Sequence, residues 1–467
     1  MRRTSCVLVM VMAAAGVSAP AAQARETRPE WSACSGAPAQ ECATVEVPLD
    51  YRKPRGKTIS LAISRIRTAK PGSRRGVLLL IPGGPGNPGL SRPTTHGSRL
   101  PQEVLDRYDL VGFDPRGVGR STPVTCDLTG ADADPQGFLP WPGVGGDITE
   151  SVAKAKRVAR ACGENGGELM RHISTRDEAR DIDRIRQALD ERALSYWGVS
   201  YGTYVGAVYA TMFPERTDRV VLDSNDDPDP RMLERGWLNN FAIGARDRFP
   251  DFAVWAAERD DTYGLGATPD AVTSTYLDLA AALDENPRPG VTGNYLRAAM
   301  FAALYSDANF PLLAQIMAGG PPSIPVPPPA QFQNGYAVLT ATGCNDVDWP
   351  RSVDHYARAV AENRREFPLT AGMPVNIMAC AFWPYRAEKP VTVTSHGPEN
   401  ILLVQNLRDP ATPYAGAVRM LEALGHRARM VTVDAGGHGS YLANGNPCGD
   451  DAVTAFLTSG THENTTC

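Results

Sequence analysis

The sequence predicts an α/β fold: an eight-stranded, mostly parallel sheet flanked by helices, with a large and mainly helical insertion after the sixth strand. Three observations carry this. Short apolar runs of strand length recur along the chain, helical patterns fall between them, and the rhythm stops between residues 226 and 390 before resuming. The strands are read at 44–49, 58–66, 76–81, 108–113, 194–199, 219–223, 401–406 and 428–433.

Each element has its own signature. In the second run Ile59, Leu61 and Ile63 alternate with Ser60, Ala62 and Ser64, the pattern of a half-buried antiparallel strand. Val77 to Leu80 and Ile401 to Val404 are apolar throughout, as parallel strands covered on both faces must be. Ile182, Ile185 and Leu189 recur at helical spacing just before the fifth strand. Inside the insertion, 273–283, 295–305 and 353–365 read as helices, and the proline-rich run 319–329 excludes both regular helix and central strand. The expected organisation is a core over 25–225, a lid over 226–390 and the rest of the core over 391–467.

The first 24 residues read as a cleaved export leader. Arg2 and Arg3 precede an apolar run from Val7 to Val17, and Ala22-Gln23-Ala24 has the small-x-small form of a cleavage site. That run is too short for a permanent span, and no later segment approaches the roughly 20 apolar residues a span needs. The chain is therefore expected outside the cytoplasm and without a membrane span. Of nine cysteines, Cys6 lies in the leader. The other eight are expected to form disulfides between sequence neighbours: Cys34 with Cys42, Cys126 with Cys162, Cys344 with Cys380 and Cys448 with Cys467. Eight cysteines allow 105 connectivities, so sequence order is the only guide. Absence of C-x-x-C and H-x-x-x-H spacing argues against a metal site. The net charge of −5 with no basic cluster argues against nucleic acid as a partner.

Gly198-Val199-Ser200-Tyr201-Gly202 is a G-x-S-x-G pentapeptide between the fifth strand and a helical run in which Gly202, Gly206 and Ala210 form a bare stripe. A serine on such a turn projects its hydroxyl from the sheet edge, which makes Ser200 a candidate nucleophile. It needs a base and a group to orient that base. Among seven histidines, His438 in Ala435-Gly436-Gly437-His438-Gly439 directly follows the last strand. His396 and His426 read as surface residues. Asp409 follows the seventh strand and is the expected acid; Asp223 and Asp434 are its rivals. The order Ser200, Asp409, His438 is that of the α/β-hydrolases. Pro82-Gly83-Gly84-Pro85-Gly86 after the third strand can supply backbone donors to an oxyanion, with Gly84 and Tyr201 as the candidate pair. No Gly-Lys-Ser/Thr follows it, so a nucleotide loop is excluded.

These motifs together resemble the secreted tripeptidyl aminopeptidase branch of the proline iminopeptidase family of α/β-hydrolases. The shared residues are Gly83 to Gly86, Asp114-Pro115-Arg116-Gly117-Val118-Gly119-Arg120-Ser121, Gly198 to Gly202, Cys344-Asn345-Asp346, Asn406 to Pro413 and Gly436 to Gly439. One departure is Ile81-Pro82, where relatives often carry a histidine before the glycines. The resemblance implies a serine peptidase that needs no metal or cofactor and removes short peptides, tripeptides being the expected length, from free N-termini; a monomer is expected. It also implies carboxylates that bind the substrate ammonium, and Asp226, Asp227 and Asp346 are the candidates by position. Two rival readings are an exported esterase or lipase using the same three residues, and an inactive hydrolase fold acting as a binding protein.

Overall fold

The computed structural model describes residues 28–229, 236–443 and 445–467. The predicted leader lies outside them. Ten strands form one sheet: β1 (Ser32–Cys34), β2 (Ala37–Pro48), β3 (Thr58–Ile66), β4 (Gly76–Ile81), β5 (Tyr108–Phe113), β6 (Leu194–Ser200), β7 (Thr217–Asn225), β8 (Ile401–Arg408), β9 (Ala428–Gly436) and β10 (Thr465–Thr466). Their spatial order is β1-β2-β3-β5-β4-β6-β7-β8-β9-β10. The β1 to β3 end is antiparallel, including the β3–β5 pair, and every pairing from β5–β4 through β9–β10 is parallel. The fold is thus the α/β-hydrolase arrangement that the sequence pattern predicts.

Two strands exceed the predicted eight. Strands β1 and β10 are three and two residues long, too short to show a period, and each sits at an edge beside a disulfide. Cys34–Cys42 closes the β1–β2 hairpin and Cys448–Cys467 ties the last helix to the chain end. Cys126–Cys162 and Cys344–Cys380 each close a separation of 36 residues. Loops of that length are worth about 3–4 kcal/mol per bridge in the chain-entropy account. Four disulfides mark a chain that folds in an oxidising compartment. Strand β3 is also more covered than its alternation implies. Ala62 and Ser64 are buried as well, because small side chains on that face let Leu90 and Ser121 approach and hydrogen bond to the strand.

Parallel strands β4 and β8 are fully apolar because both their faces are covered. One face carries the helices Thr175–Ala188, Tyr201–Met212 and Tyr414–Leu424, and the other carries Pro447–Ser459. The small-residue stripe does what its spacing predicts. A Cβ on Gly206 would come within 2.9 Å of the Tyr196 ring and 3.0 Å of Leu222, so this helix lies directly on β6 and β7.

Between β7 and β8 the sheet is interrupted, as expected. The helices Gly236–Ala257, Pro269–Glu285, Gly293–Leu304 and Phe310–Met317 bury a core of their own around Phe249, Phe252, Tyr276 and Leu313. Helix Pro329–Asp346 instead joins the main core through Tyr336, Val338 and Ala341. The proline-rich run between them is neither helix nor strand as far as Pro328. Among the described residues no helix is long and apolar enough to cross a membrane.

Candidate functional site

Ser200 ends β6 and immediately precedes the helix Tyr201–Met212. Its φ of 59° and ψ of −129° lie in a region that side chains rarely adopt, at a cost of about 1–3 kcal/mol. The flanking glycines are required by space. A Cβ on Gly198 would stand 2.3 Å from the Gly202 carbonyl oxygen, and one on Gly202 would stand 2.8 Å from that of Pro82. The turn therefore holds a partly exposed serine at the carboxyl edge of the sheet.

His438 follows β9 in a loop that several elements pin. Its N–H donates to the Tyr305 carbonyl at 2.9 Å. Asn406 donates through Nδ2 to the carbonyls of Gly437 and Gly439, and the Gly439 N–H donates to Ser224 Oγ. The rival acid Asp223 accepts from the N–H groups of Ser440 and Tyr441 and from Trp197 Nε1. It is thus an anchor for the histidine loop. Burial pushes its carboxyl up to about 6 despite those donors. The other rival, Asp434, is exposed and paired with Arg408. His396 and His426 are exposed.

Asp409, directly after β8, lies with both carboxylate oxygens 3.0 Å from His438 Nδ1. It also accepts from the N–H groups of Ala411 and Thr412 at 2.9 Å and from Thr412 Oγ1 at 3.0 Å. Those donors fix the carboxylate, and a proton on Nδ1 leaves Nε2 as the acceptor of the ring. Burial works to lower the His438 pKa, but the charge and hydrogen bond of Asp409 outweigh it and hold the imidazole above its ordinary range.

The glycine loop after β4 presses on the serine. A Cβ on Gly83 would meet Ser200 Cβ at 3.0 Å and the Val199 carbonyl oxygen at 2.8 Å, and Gly84 follows with a φ of 114°. Tyr201 occupies the first turn of its helix, where N–H groups point away from the helix's own carbonyls. Behind the loop Asp114 accepts from the N–H groups of Gly89, Leu90 and Arg120. Arg116 is buried and forms a two-point pair with Asp181. The Asp114 to Ser121 motif is therefore scaffolding.

The three amine-binding candidates differ sharply. The Asp227 carboxylate is paired with Arg419, with Nε at 2.8 Å. Asp346 accepts from the N–H and Oγ1 of Thr175. Asp226 is buried, and among the described residues its carboxylate has no hydrogen-bond donor. Its own N–H donates to Thr203 Oγ1, which in turn donates to the Ser200 carbonyl. Burial pushes its carboxyl up to about 7, and it lies close enough to His438 and Asp409 for their charges to be felt.

A cavity of about 500 Å³ opens between Gly84 and Tyr305. Phe138, Phe241, Phe301, Phe332 and Tyr336 line it, and no charged side chain does among the described residues. Tyr305 also packs edge-on against the His438 ring at 5.0 Å. Nothing local in the sequence marks Tyr305, whose partner lies more than a hundred positions away. No cluster among the described residues is placed to hold a metal ion.

A profile of the family described as "TAP-like protein" matches residues 368–467. A "Tripeptidyl aminopeptidase" from Streptomyces lividans is 36% identical over 96% of this chain and 87% of its own length. "Serine protease Hip1" from Mycobacterium tuberculosis is 30% identical over 97% and 94% of the two chains. Among solved structures, a proline iminopeptidase from Mycobacterium smegmatis covers 89% of this chain and 97% of its own, at 13% identity and a TM-score of 0.42.

Proposed function

Since the chain belongs to the tripeptidyl aminopeptidase family of serine hydrolases, we propose that it is an exported aminopeptidase releasing short peptides, tripeptides foremost, from free N-termini. His438 Nε2 takes the Ser200 proton as Oγ attacks the scissile carbonyl carbon, while Asp409 orients and stabilises the imidazolium. The N–H groups of Gly84 and Tyr201 hold the oxyanion. His438 then gives its proton to the leaving amine, and water drawn through the same base cleaves the acyl-enzyme. The chain works as a monomer, leaves the cell through a leader cleaved after Ala24, and uses residues 226–390 as a lid. Support for the lid comes from Tyr305, which the insertion places on His438, and from the proline run 324–327 in the cavity wall.

The observation that carries the exopeptidase reading is Asp226, a buried carboxylate near the His438–Asp409 pair with no donor of its own among the described residues. A substrate ammonium would supply the donor that no described residue gives it. Asp226→Asn is expected to reduce kcat/KM on free-amine peptides roughly 10- to 100-fold, mostly through KM, the worth of a charge-assisted hydrogen bond. Fluorophosphonate labelling of Ser200 should be unchanged in that variant; an equal loss of labelling would count against the assignment. Because the ammonium needs an ionised partner, kcat/KM should rise as pH climbs through about 7 and fall again as the substrate amine deprotonates. A profile without the descending limb would contradict ammonium recognition.

A second reading, an ester hydrolase, draws on the cavity, whose described lining is uncharged and suits an acyl chain as well as apolar side chains. On the peptidase reading, peptides with apolar residues before the scissile bond should be cleaved at least roughly tenfold better than those with Asp or Lys there, since burying an unpaired charge is costly. Peptide sets read by mass spectrometry give this ratio directly.

A further inference from the structure

Beneath the serine turn lies a buried chain of four side chains. Glu178 Oε2 is 3.1 Å from the Tyr201 hydroxyl, which is 2.8 Å from Thr175 Oγ1, which is 2.5 Å from Asp346 Oδ2. All four residues are at most 6% exposed. Each of these three oxygen–oxygen contacts needs one proton between its partners, or two sets of lone pairs face each other in the core. The hydroxyls of Tyr201 and Thr175 supply at most two. At least one of the two carboxyls must therefore be protonated.

Geometry decides which one. Asp346 Oδ1 also accepts the Thr175 N–H at 2.9 Å, and such a bond favours the anion. Glu178 Oε1 is buried with no partner, which disfavours it. Arg116, the cation facing Glu178, is committed to Asp181. Of the other charged groups, Asp181 faces Glu178, Asp177 and Glu388 face Asp346, and Arg176 and Lys389 line the small cavity beside Asp346, where they favour its anion. We propose that Glu178 is a positioning residue, neutral in the active enzyme, whose proton orders the chain Glu178 to Tyr201 to Thr175 to Asp346 and so holds the residue that follows the nucleophile. Burial pushes Glu178 up to about 8 and Asp346 to about 7, the same ranking.

This rests on Ser200 as nucleophile and Tyr201 as its neighbouring donor. As pH rises past about 8, Glu178 loses its proton, one contact is left without a hydrogen, and Tyr201 is displaced. Stability follows the same sign. A carboxyl raised above its unfolded value stabilises fully below that value, near 4.3, and the contribution is lost as pH rises through about 8.

The test is the rate of fluorophosphonate labelling between about pH 7 and 9.5, a probe without an amine of its own. Wild type should lose roughly tenfold over that range. Glu178→Gln, whose amide donates to Tyr201 without titrating, should label like wild type at pH 7 and stay within about twofold up to pH 9.5; Glu178→Leu should label slowly at every pH. An infrared titration reads the same proton, as the part of the protonated-carboxyl band at about pH 7.5 that wild type loses by 9.5 and Glu178→Gln does not show. A flat wild-type profile, an unchanged alkaline fall in Glu178→Gln, or no such band overturns the proposal while leaving the serine mechanism standing. Failure of the reagent to label wild type at any pH removes the functional reading on which it rests.

Discussion

Ser200→Ala is expected to abolish peptide turnover, with kcat falling by about 10⁶-fold, because on the proposed mechanism the variant keeps the cavity and the glycine loop but has no atom to form the acyl-enzyme. The fold should survive. Among the described residues nothing hydrogen bonds to the Ser200 side chain, and alanine bears the same strain at a φ of 59°. Ser200→Gly relieves that strain and should unfold about 1 kcal/mol later than Ser200→Ala while being equally inactive. Thermal unfolding of the pair separates loss of chemistry from loss of structure.

Asp409→Asn is expected to reduce kcat by up to about 10⁴-fold with little change in KM. The carboxylate faces Nδ1 with both oxygens and is itself held by two backbone N–H groups and a threonine hydroxyl, so an amide in its place keeps the shape and loses the charge. With that charge gone, burial lowers the histidine pKa against only the weaker pull of Asp223 and Asp226. The acid limb of fluorophosphonate labelling, which has no amine for Asp226 to bind, should therefore move to lower pH in the variant, since the base must be neutral to act. A variant with wild-type kcat would make Asp409 a structural aspartate and return Asp223 to consideration.

What the sequence disclosed follows from how local each signal is. The apolar run of β4 and the glycine stripe of the helix after Ser200 are fixed by neighbours within a few residues, and both lie where their patterns put them. The pairing of His438 with Asp409 could be expected because each stands next to the strand that positions it. Asp227 and Asp346 looked equal to Asp226 because a side chain's partner is not visible in its own neighbourhood. Arg419 meets Asp227 across 192 positions and Thr175 meets Asp346 across 171. Helix Pro329–Asp346 escaped for another reason. Its glycines, asparagines and threonines give a weak helical signal, and it is tertiary burial against the main core that stabilises it.

A serine hydrolase that reads a free N-terminus before it cuts must ignore the same peptide once its amine is acetylated. One library of peptides, half with free and half with acetylated N-termini, can be digested and followed by mass spectrometry. Short N-terminal fragments, mainly tripeptides, should leave the free-amine set alone, and Ser200→Ala should release none. Equal cleavage of the acetylated set, or internal cuts without regard to the terminus, would contradict recognition of the free amine.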